Sequence, residues 1–509
     1  MKAFLMYRDR DFDLQQESPW NEQALIQDLE LNTLFNAMAL DDKFLFEVAK
    51  KAVLSGLSNE VDTILYRQSV LKDCLKNPAV VREIYALAVE AITSEKKIYW
   101  GIFSRYPTAI LDRSIEVLQM FVGMLKKLRA LADEHSGEFQ SEGLTALFAM
   151  LQRELDDDYF ARVQDHLREL KFHDGVLISA ELGKGNKGTH YTLRKSPNGK
   201  QGWVERLLAK KPPAYTFYIA DRDENGFRAL SELRDRGINL AANALAQSTD
   251  HILSFFNMLR TELAFYVGCL NLHEQLTHIG EPMCFPVPTA STERRRAFKE
   301  LYDVGLALSM KQKIVGNDGN ADDKDLVIIT GANQGGKSTF LRSIGLSQLM
   351  MQCGMFVPAE SFRSNVYDGL FTHYKREEDV TMQSGKLDEE LSRMSDIVDH
   401  LTPNSMVLFQ ESFAATNERE GSEIASQIVR ALLEKRIQVF FVTHLYELAH
   451  GFYKRKMANA LFLRAERQAD GTRTFKLVEG EPLQTSYGED LYERIFAGIQ
   501  SHARADLSK

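Results

Sequence analysis

One run of nine residues constrains the fold more than any other part of the chain. Gly331, Ala332, Asn333, Gln334, Gly335, Gly336, Lys337, Ser338 and Thr339 fit the pattern GxxxxGK[ST]. An apolar run at 326–330 precedes it and a helical pattern at 340–351 follows. A chance glycine turn does not come with both flanking elements. Strand, loop and helix in that order let Gly331, Gly335 and Gly336 curl the backbone so that successive N–H groups, those of Asn333 and Thr339 included, face phosphate oxygens at a helix N-terminus. Lys337 is expected to bridge the β- and γ-phosphates, and the Ser338 hydroxyl to ligate Mg²⁺.

Two further strand ends complete the chemistry. The run 406–411 is apolar and ends in Gln410 and Glu411. Such a strand end usually supplies a metal-side carboxylate and then the base that orients water. Gln410 takes the metal-side place without a charge, which implies weaker metal binding or slower turnover, and Glu411 remains as the base. A third apolar run, 438–443, ends at Thr443 and His444, and places the histidine to reach the γ-phosphate region.

The rest of the chain sets this domain in context. At 509 residues there is room for about three domains, or a long helical module and a catalytic domain. The low count of 12 prolines favours long helices. Leu111, Ile115, Leu118, Val122, Leu125, Leu128 and Leu131 mark one amphipathic helix, and 78–92 is another, with Pro78 at its start. Helices are also expected at 229–245 and 251–272. No apolar stretch is long enough to span a membrane, and the opening residues lack the apolar region of a signal peptide. Four scattered cysteines without a CxxC pair fit a reduced, cytosolic protein without structural zinc.

The net charge of −9 rules out a polycation, so a nucleic-acid surface must be local. Residues 171–211 supply a candidate, with nine basic residues against three acidic ones around a glycine cluster and strand-like runs at 176–179 and 189–193. Lys184, Lys187, Arg194, Lys195 and Lys200 are the candidate phosphate contacts, and a solvated β-insertion is the equal alternative. Residues 221–232 spell a calcium-binding EF-hand loop, but a Pro-Pro pair and a strand-like run precede it where a helix is needed. A turn feeding a helix with acids at its N-terminus is expected instead. Glu154, Asp156, Asp157 and Asp158 read as a solvated turn, and Arg294, Arg295 and Arg296 as a solvated helix face.

The chain resembles the MutS family of DNA-repair ATPases. The resemblance lies in the run Thr330 to Thr339, in the segment from Glu411 through Thr416 to Gly421, in Thr443-His444 with Glu447-Leu448, and in Ser486-Tyr487-Gly488. It is specific over 281–490 and rests over 20–280 on helix order and the basic insertion. It implies an α + α/β fold: a helical core and lever region (1–170), a basic β-rich clamp-like insertion (171–220), returning core helices (221–280) and an ABC-type P-loop ATPase domain (281–509). It also implies a homodimer through the ATPase domains with composite sites. In that family a serine contacts nucleotide across the dimer, which falls here near Gly385, with Ser384 adjacent. The family's base-reading Phe-x-Glu is missing from the first 20 residues, and Phe298-Lys299-Glu300 beside the ATPase domain is a coincidence of spelling, so direct mismatch reading is not implied. The expected function is an ATP-dependent, nucleotide-switched clamp on duplex or branched DNA in mismatch-repair-like, recombination or DNA-structure processing. It would be cytoplasmic and nucleoid-associated, with a downstream repair or nuclease partner. The rival reading is a scaffold that binds ATP, scarcely hydrolyses it and assembles protein partners. A small-molecule kinase using the same loop is disfavoured, because the sequence shows no obvious acceptor pocket and the MutS-like segments extend well beyond the loop.

Overall fold

The computed structural model describes residues 1–99, 106–173, 175–195, 215–376, 385–468 and 470–484. They form two compact units. The first takes Met1–Ala3, Ala79–Gln140 and Leu144–Thr261, and the second takes Phe4–Pro78, Ser141–Gly143 and the described residues from Glu262 onward.

The first unit is built from long helices. Pro107–His135 starts with its proline in the first turn, where no N–H is needed, and buries Leu111, Ile115, Leu118, Val122, Leu125, Leu128 and Leu131 along one stripe. Asp157–Leu170 begins at Asp156, whose carboxylate accepts the Tyr159 N–H at 2.7 Å. The consecutive acids at 156–158 are therefore a helix cap and first turn. Leu177–Leu182 and Gly188–Arg194 form an antiparallel hairpin with both faces largely in solvent.

The helices expected at 229–245 and 251–272 are one helix, Glu224–Ile279, of 56 residues. At 1.5 Å per residue it is about 80 Å long. The polar stretch between the two expected helices does not break it. Ser248 and Thr249 turn their hydroxyls back onto the carbonyls of Ala244 and Ala246, at 2.8 and 2.6 Å. The helix begins inside the EF-hand spelling, where Asp223 Oδ1 accepts the Gly226 N–H at 2.9 Å. From Glu224 on, that segment is therefore helix rather than a calcium loop.

The second unit holds a six-stranded sheet in the order Arg473–Glu479, Ala460–Arg467, Leu326–Gly331, Gln438–Val442, Met406–Gln410, Leu370–Tyr374. The first two are antiparallel and every other pair is parallel. The central strands are buried on both faces, which explains their unbroken apolar runs. A four-stranded sheet carries Val287–Thr289, Ser361–Asn365, Arg296–Leu301 and Asn317–Asn320, in that spatial order. Residues 4–78, read from sequence as the start of the helical region, pack in this second unit: Asn21 and Asn59 donate to the carbonyls of Leu370 and Gln352 at 2.8 and 2.9 Å.

The expectation of a solvated helix face at 294–296 is overturned. Arg296 lies on a strand and is fully buried, donating to Gln348 Oε1 at 2.7 Å among the rings of Phe362, Tyr367 and Phe440. Aromatic faces offer a guanidinium partial compensation for lost water. Arg294 is buried against Asp325 and the Arg436 carbonyl. A triplet of arginines carries no periodicity that separates strand from helix, so charge alone misplaced it.

Glu262 in the long helix is fully buried and accepts the backbone N–H groups of Leu5 and Phe12. Burial pushes its carboxyl up to about 7, against those two hydrogen bonds. A raised acid binds its proton more tightly folded than unfolded. Its stabilising contribution is complete below the unfolded carboxyl range and is lost as pH rises through about 7. Between pH 6 and 8 wild type should lose roughly 1 kcal/mol relative to Glu262→Gln. Chemical denaturation of both proteins at the two pH values checks this, and a constant difference would contradict it.

Candidate functional site

Strand register brings the candidate residues to one edge. Val442 pairs with Ile329 on one side and with Gln410 on the other, and Gln410 pairs with Tyr374. Because these strands are parallel, their carboxyl ends open on the same side. The loop after Gly331, Glu411 after Gln410 and His444 after Val442 therefore share it. The Glu411 N–H donates to the Val442 carbonyl at 2.9 Å.

The loop itself requires its glycines. Gly331 has φ 109°, and a Cβ there would lie 2.8 Å from the Ala465 nitrogen. Gly336 has φ 85° and caps the helix Lys337–Gln352. A Cβ at Gly335 would meet the Ala465 side chain at 2.7 Å. Lys337 is buried, and its Nζ donates to the carbonyls of Gly331 and Ala332 at 3.0 and 2.9 Å. Burial pushes its amine down to about 8; the Glu411 charge opposes this and the Arg473 charge adds to it. The lysine thus spans the loop with its charge held ready for a phosphate, and Ser338 and Thr339 follow in the first helical turn.

Glu411 Oε1 lies 3.1 Å from His444 Nε2. This hydrogen bond holds the Glu411 carboxyl below its ordinary value, against partial burial, with further help from the His444, Lys375 and Lys337 charges. An ionised carboxylate paired to an imidazole can orient water and take its proton. Gln410 is the last residue of its strand and half-buried. Ser338, Gln410 and Glu411 offer a hydroxyl, an amide oxygen and one carboxylate. That set fits Mg²⁺ only where phosphates and water supply most of its ligands, the usual mode for this ion. Among the described residues no group of three acids, histidines or cysteines could hold a metal by itself.

Sequence reasoning missed three residues here. Arg473, on the antiparallel edge hairpin, donates from Nε to the Asn333 carbonyl at 2.7 Å and braces the loop. Phe475, two residues on, lines a cavity of about 410 Å³ beside Gly336, together with Ile314, Val315, Gln334 and Phe340. Lys375, beyond Tyr374, is close enough to bias Glu411. Only strand pairing across distant segments places these residues, and no local motif marks them.

Of the candidate DNA contacts, Lys184, Lys187, Arg194 and Lys195 are exposed on the hairpin and the residues flanking it. Arg194 donates to Ser179 Oγ at 2.8 Å, and Lys195 pairs with Glu169 at 2.5 Å. Lys200, Ser384 and the Ser486-Tyr487-Gly488 run lie outside the described residues.

Comparison with known proteins finds matches to two segments of the chain. The family described as MutS2 N-terminal domain matches residues 59–279, and the family described as MutS domain V matches 327–500. The DNA mismatch repair protein MutS of Petrotoga mobilis is 33% identical over 172 residues, which is 34% of this chain and 21% of that protein. The protein of the same name from Thermus aquaticus is 35% identical over 168 residues, 33% of this chain and 20% of the relative. That of Prochlorococcus marinus is 26% identical over 306 residues, 58% of this chain and 33% of the relative. The chain thus covers between a fifth and a third of the length of these relatives.

Proposed function

The chain is a member of the MutS family across 59–279 and 327–500, and on that premise we propose that it is an ATP-hydrolysing, DNA-binding switch. The observation that carries the reading is the common sheet edge, where a buried Lys337 in its glycine loop stands with the hydrogen-bonded Glu411 and His444. In this reading the loop amides and Lys337 would hold the phosphates, and the Ser338 hydroxyl and Gln410 amide would hold the magnesium ion. That ion would neutralise charge on the phosphate oxygens. Glu411 orients the attacking water and takes its proton, while His444 fixes the carboxylate. The cavity lined by Ile314 and Phe475 would accept the flat base.

Two copies would pair through their ATPase domains, each reaching the other's nucleotide from the Ser384 region. Nucleotide state would then change how the helical region and the 171–220 insertion hold duplex or branched DNA, with a repair or nuclease partner acting next. A cytoplasmic, nucleoid-associated setting follows from a DNA substrate. Relatives named as DNA mismatch repair proteins support repair as the process.

The hairpin carries the DNA prediction. Reversing Lys184, Lys187, Arg194 and Lys195 to glutamate should weaken DNA binding at least about tenfold at low salt and flatten its salt dependence. Fluorescence anisotropy across a salt series reads both quantities. Unchanged affinity would remove the hairpin from the interface.

The rival reading, an ATP-bound scaffold with little turnover, is favoured by one feature, the neutral Gln410 beside the metal position. The two readings part on Gln410→Asp. If Gln410 merely tunes an active enzyme, wild type turns over ATP, and the aspartate variant lowers the Mg²⁺ needed for half-maximal rate several-fold. A wild type that binds ATP without turnover, and a variant that gains it, would favour the scaffold.

A further inference from the structure

We propose that His373 and Glu390 are positioning residues that hold the Glu411 turn in its working geometry and tie it to the helix Lys386–His400. The consequence for turnover rests on the hydrolysis reading above; the geometry does not.

The turn that carries Glu411 is strained. Glu411 and Phe413 both lie in the left-handed region, with φ 51° and 62°, and neither is glycine. Non-glycine residues persist there only where their surroundings over-determine the backbone. Here the fixing contacts come from outside the strand. Phe413 N–H donates to Glu390 Oε2 at 2.7 Å. His373 is fully buried, with Nδ1 2.7 Å from Ser412 Oγ and Nε2 2.9 Å from the Glu390 carbonyl. Its ring stacks on Phe413 at 5.1 Å between centroids.

The proton positions follow from these partners. Burial holds the His373 imidazole down to about 4, with the Arg393 charge acting in the same direction, so the ring is neutral. A carbonyl only accepts, which puts the one N–H on Nε2 towards Glu390. Nδ1 then accepts from the Ser412 hydroxyl, whose proton it shares with the His373 carbonyl 2.6 Å away.

Glu390 therefore grips the turn twice, directly through its carboxylate and indirectly through its own carbonyl and His373. Both grips come from one residue in the second turn of Lys386–His400. A displacement of that helix is transmitted to Ser412 and Phe413, and through them to the direction in which Glu411 points. In this proposal Ser412 and Phe413 act through Glu411.

The test uses the full chain with Glu390→Ala, Glu390→Gln and Ser412→Ala. Glu390→Gln keeps an oxygen that accepts from Phe413 N–H, so it serves as the conservative rescue. Hydrogen exchange read by mass spectrometry on peptides covering 411–413 should accelerate about tenfold or more in Glu390→Ala, less in Ser412→Ala, and little in Glu390→Gln. Peptides from Lys337–Gln352 should keep their wild-type protection in all three. ATP turnover in Glu390→Ala should fall about tenfold or more in kcat with KM within about twofold, and Glu390→Gln should recover most of it. Unchanged exchange at 411–413 in Glu390→Ala overturns the proposal whatever the turnover. So does a loss shared equally by kcat and KM that glutamine does not rescue, which marks a merely structural role. A wild type without turnover would sink the hydrolysis reading alone, because the exchange measurement still decides the lock.

Discussion

Lys337→Ala is expected to lower ATP turnover by at least about a hundredfold, because removing a preorganised charge from a buried phosphate site costs about that much or more. The size follows from where the amine sits. It is 5% exposed and reaches across the loop to the carbonyls of Gly331 and Ala332. The Arg473 charge also bears on Lys337, but its Nε donates to the Asn333 carbonyl. The substitution also strips two carbonyls of their donor, so the variant's unfolding midpoint must be measured beside its kinetics. A folded Lys337→Ala with wild-type kcat/KM would remove the loop from the chemistry.

Glu411→Gln should separate binding from hydrolysis. The amide keeps an oxygen that can accept from His444 Nε2, now 3.1 Å from the carboxylate. It has no basicity, and loss of a positioned general base costs roughly 10²–10⁴ in rate. ATP affinity should stay within a few-fold of wild type, since the phosphate contacts lie on the loop. Single-turnover hydrolysis and equilibrium binding of a labelled nucleotide read the two quantities. Turnover above about a tenth of wild type would mean that another group takes the proton.

The site was legible in the sequence wherever function is written in consecutive residues. The run 331–339 fixes its own strand, loop and helix, and the apolar runs ending at Glu411 and Thr443 declare strands that must be buried on both faces. That these three ends meet was an inference from pattern, and the register of Val442 with Ile329 and Gln410 supplies the geometry. What stayed hidden depends on pairing between distant segments. Arg473 and Phe475 reach the loop because an antiparallel edge strand folds back beside it. The Glu390 grip needs a helix, a strand and a turn at once. The buried Arg296 and the uninterrupted Glu224–Ile279 helix ran against local expectation for one reason. Arg296 finds Gln348 and aromatic rings in the interior, and Ser248 and Thr249 find the helix's own carbonyls, partners that the local sequence does not name.

Steady-state ATP turnover by the purified chain, with and without duplex and branched DNA and beside Lys337→Ala, tests the central claim most directly. An ATP-driven DNA switch predicts turnover that DNA changes several-fold and that Lys337→Ala abolishes. ATP bound by wild type, with turnover no higher than that variant under any DNA condition, would contradict it.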